Sequence, residues 1–102
     1  MAEKRQPLEL QANRVRYYSP SDEEAFFAWL DKIPCVEDRH GRGDTLRIFV
    51  NAAAVDEQGL RELIALFYRY EIDQRQLAAF DRSEFAPWFR DKGSYWHKGV
   101  FG

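Results

Sequence analysis

The order of strand and helix patterns along the chain predicts an α+β fold with a small antiparallel or mixed sheet. The patterns follow one another as β-α-β-β-α, and short helices come after them toward the C-terminus. A β-α-β crossover is nearly always right-handed, which places the helices on one side of the sheet. The order therefore predicts a split β-α-β arrangement, or a truncated ferredoxin-like fold that lacks its fourth strand.

The first strand and the first helix are each predicted from a local pattern. Residues 8–18 alternate between apolar and polar side chains, which indicates one strand, or two strands paired around Ala12-Asn13. Ser19 can cap a helix that begins at Pro20, because its hydroxyl accepts a free amide hydrogen of the first turn. Pro34 ends this helix. The predicted buried face comprises Phe26, Phe27, Trp29, Leu30 and Ile33.

A β-hairpin is predicted over residues 35–51. Gly41 and Gly43 lie at its centre, where a tight turn needs residues that tolerate positive φ. In the returning strand, Leu46, Ile48 and Val50 alternate with Thr45, Arg47 and Phe49.

The second helix carries the clearest signals in the chain. Asp56 can cap it, and Val55 and Leu60 have the spacing of a hydrophobic staple. Apolar residues then cover much of the circumference, which predicts a central helix. They are Leu60, Leu63, Ile64, Leu66, Phe67 and Tyr70.

Short helices and a tail are predicted after the second helix. Asp73 and Gln76 have the spacing of a capping box, which begins a third helix that ends near Asp81. Ser83 can cap a fourth helix. The segment 95–101 either supplies an edge strand or packs across the helices.

Length and composition predict a single domain over residues 1–102, with a flexible tail at residues 1–7. A chain of 102 residues hides about 60–70% of the surface that its unfolded form exposes, which is enough for one core. Aromatic residues make up 16% of the chain, so rings supply much of the core volume.

The charge and the cysteine content of the chain indicate its cellular compartment. The formal net charge is −2 and like charges form no long run, so nothing in the charge favours nucleic acid or a membrane. The sequence contains no apolar stretch of the length that a signal peptide or a membrane span needs. Its single cysteine, Cys35, cannot form an internal disulfide. These observations predict a cytoplasmic protein.

No metal ion or other cofactor is predicted. His40 lies near Glu37, Asp38 and Asp44, but the spacing of these residues matches no metal site, and a solvated polar turn explains them. The tripeptide Arg42-Gly43-Asp44 matches a cell-adhesion signal. In a chain predicted to stay in the cytoplasm, hairpin chemistry explains it.

No catalytic residue is predicted either. Cys35 follows Pro34 at the start of a strand, and a small core residue is a better interpretation there than a nucleophile. The sequence has no nucleophile elbow, phosphate-binding glycine loop or dinucleotide fingerprint. An enzyme without a recognisable motif remains as a second alternative.

A nucleic-acid-binding module is the first alternative. A small sheet backed by two helices is the architecture of RNA-recognition modules, and arginines could line one sheet face. These are Arg14, Arg16, Arg39 and Arg47. RNA-recognition modules stack bases on strand aromatics, whereas the matching strand here has Phe49 as its only ring. The acidic net charge also disfavours this alternative.

The C-terminal segment is rich in aromatic residues, which have two interpretations. In the first, Phe85, Trp88, Phe89 and Trp96 fold back and complete the core. In the second, Tyr95, Trp96 and His97 stay partly exposed and form a binding surface with Arg90 and Lys98. Tyrosine, tryptophan and arginine are the residues that dominate protein interfaces.

The leading hypothesis is a non-enzymatic protein that binds another protein or a second copy of itself. It would act as a dimer or as a stand-alone inhibitor or adaptor. Small size, the absence of catalytic motifs, mild acidity and the aromatic content support this hypothesis. Immunity-type proteins, which cover a toxin's active site with an acidic and aromatic face, have such a profile.

Overall fold

The computed structural model describes residues 7–102. The predicted flexible tail at residues 1–7 therefore lies outside the described residues, except for the exposed Pro7. The observed elements confirm the α+β fold class. They are β1 (Leu8–Asn13), α1 (Pro20–Asp31), β2 (Val36–Arg42), β3 (Thr45–Val50), α2 (Glu57–Arg69), α3 (Ala86–Phe89) and α4 (His97–Phe101), with 3₁₀ helices at Ala52–Ala54 and Gln74–Phe80.

The sheet has the strand order β1-β3-β2, and both neighbouring pairs are antiparallel. β1 pairs with β3 from Leu8↔Val50 to Asn13↔Thr45. β2 pairs with the other edge of β3 and has an irregularity between Val36 and Asp38. β1 and β2 consequently run parallel to each other on either side of β3, and α1 lies between them in the chain. This is the predicted split β-α-β arrangement.

Residues 8–18 form one strand and a loop rather than two paired strands. β1 ends at Asn13, and Arg14 then adopts a φ of +54°, which a residue in a strand does not. Tyr17 lies in the loop that leads to α1, where its ring centroid is 5.6 Å from that of Phe26. The alternation after Asn13 therefore reflects packing of the loop and not strand pairing.

The turn of the β2–β3 hairpin consists of Gly43 and Asp44. Gly43 has a φ of +62°, as the first central position of a type II′ turn requires. The prediction that Gly41 also supplies a positive φ is wrong, because Gly41 pairs with Leu46 inside the hairpin. The short turn extends β2 as far as Arg42.

One face of the sheet belongs to the hydrophobic core. Leu10 and Ala12 in β1 and Ile48 and Val50 in β3 are buried, and they alternate with more exposed residues. Each fully buried large apolar side chain contributes about 1.5–3 kcal/mol relative to exposure. The same core cluster includes Phe26 and Leu30 of α1 and Leu60, Leu63, Ile64 and Phe67 of α2.

Side chains cap both long helices at the predicted positions. The Ser19 hydroxyl accepts a hydrogen bond from the backbone N–H of Asp22 at 3.1 Å, and Pro20 is the first helical residue. The Asp56 carboxylate accepts a hydrogen bond from the backbone N–H of Gly59 at 2.8 Å. A cap of this kind is worth about 1 kcal/mol relative to alanine.

The segment after α2 differs from the prediction. The third helix is the 3₁₀ helix Gln74–Phe80, and the Asp73 carboxylate accepts its hydrogen bond from Arg75 N–H rather than from Gln76. Ser83 does not cap the next helix, because α3 begins at Ala86 and has no side-chain cap. The final segment forms α4, which packs against the 3₁₀ helix Gln74–Phe80 and adds no strand.

Candidate interaction site

Two partly exposed tyrosines touch each other on the surface of α2. Tyr68 in α2 is 52% exposed, and Tyr95 in the turn before α4 is 51% exposed. Their rings meet edge to face with centroids 4.8 Å apart. An aromatic pair in this geometry is worth about 0.5–1.5 kcal/mol beyond the area it buries. We call these two residues the tyrosine pair.

The core behind the tyrosine pair holds it in position. Tyr68 directly follows the buried Leu66 and Phe67 of α2, so the helix fixes the direction of its side chain. Tyr95 precedes Trp96, whose indole Nε1 donates a hydrogen bond to the Phe89 carbonyl at 2.8 Å. The Trp96 ring lies 5.0 Å from the Tyr95 ring. The exposed pair therefore lies next to buried core residues.

A groove of about 830 Å³ lies beside the tyrosine pair. Cavities of about 300–1,000 Å³ are typical of sites that hold a small molecule or a few side chains of a partner. The lining combines aromatic, apolar and charged side chains, a composition shared with protein interfaces. The lining residues are Trp29, Ala65, Tyr68, Arg69, Glu71, Gln74 and Tyr95. We call this feature the tyrosine groove.

Two polar side chains of the tyrosine groove differ in whether their polar atoms have hydrogen-bond partners. The Trp29 indole donates a hydrogen bond to the Glu62 carboxylate at 2.8 Å, which fixes the ring at the groove wall. The side-chain oxygen of Gln74 is buried and accepts no hydrogen bond from residues 7–102. A buried acceptor without a partner costs about 1–3 kcal/mol.

The C-terminal end of α2 places Glu71 in the groove lining. Glu71 has a φ of +56°, a conformation that glycine adopts more readily. The Ile72 N–H donates to the Phe67 carbonyl at 2.9 Å and the Glu71 N–H donates to the Tyr68 carbonyl at 3.3 Å, which together form a Schellman motif. Within residues 7–102, neither Arg69 nor Glu71 forms an ion pair. Both charges remain available to a partner.

The protonation of Tyr95 follows from its surroundings. Partial burial raises the pKa of the Tyr95 phenol. Arg61 opposes this rise in pKa, whereas Tyr68 and Glu62 add to it. The hydroxyl therefore stays protonated at neutral pH and can both donate and accept a hydrogen bond.

The structure divides the predicted binding residues into a surface part and a core part. Tyr95 is exposed as predicted, but Trp96 is only 7% exposed, so the prediction that Trp96 contributes an exposed contact is wrong. Its ring fills the core and its one polar atom is bonded to Phe89. Burial of the ring gains more free energy than exposure because the indole is large and mostly apolar.

Arg90 and His97 gather around a different ring, that of Phe101. The Arg90 guanidinium lies 5.1 Å from the Phe101 centroid, and the half-buried His97 ring lies 5.2 Å from it. Arg90 also forms a two-point ion pair with Asp81. Lys98 is exposed in α4. None of these three predicted residues lines the tyrosine groove.

The arginines of the nucleic-acid alternative do not share one sheet face. Arg39 lies on the helix side of the sheet, where it contacts the Phe27 ring at 4.5 Å and bonds Asp31. Arg47 points to the opposite face and forms an ion pair with Glu9 at 2.9 Å.

The other two arginines lie in the loop after β1. Arg14 pairs with Asp44 at 3.2 Å, and Arg16 is exposed. Carboxylates thus already accompany three of the four predicted arginines, Arg14, Arg39 and Arg47. A phosphate would have to compete with those carboxylates for each guanidinium.

Neither Cys35 nor His40 lines the tyrosine groove. Cys35 is buried, and burial raises the pKa of its thiol, which lowers its nucleophilicity at neutral pH. The His40 ring is 3.0 Å from the Asp38 carboxylate in an exposed strand. Residues 7–102 contain no group of three or more histidine, cysteine or acidic side chains that could hold a metal ion.

Of the residues that line the tyrosine groove, only Tyr95 is predicted from the sequence to lie at a surface. Tyr95 was expected at a surface, whereas Tyr68, Trp29 and Gln74 were not assigned to one. Tyr68 offered a usable signal, because it is a large aromatic that lies outside the apolar stripe of α2. The meeting of Tyr68 with Tyr95 depends on tertiary packing, which the local patterns do not contain.

Comparison of the chain with protein-family models, with curated proteins and with solved structures finds no match. Over residues 7–102, every helix is too short or too polar to cross a membrane.

Proposed function

We propose that this chain is a non-enzymatic protein-binding module of the cytoplasm that contacts its partner through the tyrosine groove. The observation that carries the proposal is the exposed tyrosine pair, in which Tyr68 and Tyr95 are fixed by each other and by the core behind them. Rigid aromatic anchors bind well because little conformational entropy is lost when a partner covers them. The single cysteine supports a reducing compartment.

The lining of the groove indicates the chemistry of the partner. An apolar or aromatic side chain would fit between Trp29 and the tyrosine pair. Arg69 and Glu71 have opposite charges, so they favour a partner segment with an acidic and a basic residue on either side of that apolar anchor.

The other functions have less support. The arginines of the nucleic-acid alternative are spread over different surfaces and accompanied by carboxylates. The enzyme alternative would need a nucleophile or a general base in a pocket. The groove contains a single carboxylate, that of Glu71, and no histidine or cysteine.

Affinity capture followed by measurement of binding tests the proposal. A partner captured by the wild-type chain should bind Tyr68→Ala and Tyr95→Ala at least about 30-fold more weakly, the loss typical of a hot-spot residue. Tyr18→Ala is the matched control, because Tyr18 is 79% exposed but lies outside the groove. A partner that binds both groove variants as tightly as it binds the wild-type chain would contradict the proposal.

A further inference from the structure

The two outer strands of the sheet differ in how their outward-facing backbone groups are hydrogen-bonded. On β1, the Gln11 N–H donates to Oε1 of Gln76 at 2.7 Å, and Nε2 of Gln76 donates to the Gln11 carbonyl at 2.8 Å. The Gln76 amide thereby takes the place of a neighbouring strand. On β2, the backbone N–H of Arg39 donates to the side chain of its neighbour Asp38 at 2.8 Å. Within residues 7–102, no side chain from another element bonds an outward-facing backbone group of β2.

The backbone groups of Arg39 and Gly41 point away from the sheet. The two-residue turn makes Arg42↔Thr45 a hydrogen-bonded pair, and bonded and non-bonded pairs alternate along antiparallel strands. Arg39↔Ile48 and Gly41↔Leu46 are consequently non-bonded pairs. The amides and carbonyls of Arg39 and Gly41 are therefore at the free edge of the sheet.

β2 carries its charges in an order that suits pairing with itself. Glu37 and Asp38 come first, and Arg39 and Arg42 follow. An antiparallel neighbour of the same sequence reverses this order, so the acidic start of one strand meets the basic end of the other. Opposite charges directly across two strands contribute about 0.2–1 kcal/mol for each pair.

We propose that a second copy of this chain pairs with β2 edge to edge, in an antiparallel arrangement with a two-fold axis at His40. In this register the N–H and C=O groups of Arg39 bond those of Gly41 in the second copy, and the reverse pair forms by symmetry. Asp38 of each copy lies across from Arg42 of the other. The sheet then continues through both copies.

The ends of β2 limit the strength of this dimer. The irregularity between Val36 and Asp38 interrupts the strand, so pairing is confined to the stretch from Asp38 to Arg42. The Asp38 carboxylate already contacts the Arg39 amide and the His40 ring, and Arg42 of the second copy must compete with both. Because the charges involved are exposed, the dimer is expected to weaken as salt increases. The tyrosine groove has no part in it.

Exchange of the two facing charges tests the proposal by sedimentation at low salt. Wild-type chain should show a dimer whose fraction rises with concentration. Asp38→Arg and Arg42→Asp should each weaken self-association by at least about tenfold, because each places like charges across the axis. An equimolar mixture of the two variants should dimerise again, because every facing pair is then of opposite charge.

The matched control is Lys92→Asp, which changes the net charge as Arg42→Asp does at an exposed position outside the sheet. It should dimerise like the wild-type chain, and far-ultraviolet circular dichroism should show that all variants are folded. A wild-type chain that stays monomeric at about 1 mM would overturn the proposal. So would a mixture of the two charge variants that remains monomeric, or charge variants that associate as the wild-type chain does.

Discussion

Glu71 occupies a backbone position that usually belongs to glycine. Its φ of +56° places the side chain against the following carbonyl, at a cost of about 1–2 kcal/mol relative to the right-handed region. Residues held in such conformations are concentrated at binding sites, where the surrounding structure maintains them. The position of Glu71 in the lining of the tyrosine groove agrees with that tendency.

Substitutions of Glu71 should separate the free-energy cost of its positive φ from the contribution of its carboxylate to partner binding. We expect Glu71→Gly to be more stable than Glu71→Ala by about 1 kcal/mol, because glycine adopts positive φ without a Cβ clash. Both variants lack the carboxylate, so they should lose the same partner affinity. Urea denaturation measures the first effect, and equal unfolding free energies of the two variants would show that the backbone at residue 71 is not strained.

Glu9 is expected to make stability depend on pH. Hydrogen bonds from Arg47 and Gln11 lower the pKa of the Glu9 carboxyl from 4.5 to about 2. A carboxyl with a lowered pKa in the folded state stabilises the protein fully above its unfolded pKa, and this contribution disappears as the pH falls through the folded pKa. The ion pair should therefore contribute at neutral pH and vanish near pH 2.

The comparison of wild-type chain with Glu9→Gln measures this dependence. The difference between their urea midpoints should be constant above about pH 5 and should shrink steadily toward pH 2. Glu24→Gln, which removes a carboxyl at an exposed position of α1, serves as the control for the loss of one negative charge. If the difference in urea midpoint between the wild-type chain and Glu9→Gln does not change with pH, the pKa of Glu9 is not lowered.

At the scale of elements, Gln76 links the 3₁₀ helix Gln74–Phe80 to β1. Replacing it with alanine leaves the Gln11 amide and carbonyl without their partners. We expect Gln76→Ala to lower the free energy of unfolding by about 1–2 kcal/mol. Hydrogen exchange at the Gln11 amide should accelerate as well.

Gln58→Ala is the matched control for that prediction. Within residues 7–102, Gln58 bonds only its helical neighbour Glu62 at the surface, so its loss should change stability by about 0.5 kcal/mol or less. If Gln76→Ala and Gln58→Ala have the same stability and Gln11 exchanges at its wild-type rate, Gln76 does not protect the edge of β1.

The elements that the sequence predicted well are those whose signals are local. Ser19 and Asp56 cap their helices through residues three positions away, so their spacing was sufficient. Gln76 also has the spacing of a capping residue, and its amide bonds both the nearby Asp73 carbonyl and the backbone of Gln11, 65 positions earlier in the chain. Ser83 is not a cap, because α3 begins at Ala86 and has no side-chain cap. Local spacing cannot reveal a partner that is distant in the chain.

At the scale of the whole molecule, aromatic contacts run from the surface into the core. Tyr68 touches Tyr95, Tyr95 touches Trp96, and Trp96 meets Trp88 edge to face at 5.9 Å. The aromatic content correctly indicated that rings would supply core volume. The sequence could not show where this series of rings passes from core to surface, because that boundary depends on how α4 packs against the 3₁₀ helix Gln74–Phe80.

Two adjacent substitutions locate that boundary. Trp96→Ala should lower the free energy of unfolding by about 3–5 kcal/mol, because it empties a large volume in the core and removes the hydrogen bond to Phe89. Tyr95→Ala should cost about 1 kcal/mol or less, since half of that ring is already in water. Chemical denaturation followed by circular dichroism gives both values. If the segment after α3 folds with the core, the Trp96→Ala transition stays cooperative but moves to lower urea concentration. An unchanged midpoint for Trp96→Ala would mean that this segment is not part of the core, and the support for Tyr95 in the tyrosine pair would be lost with it.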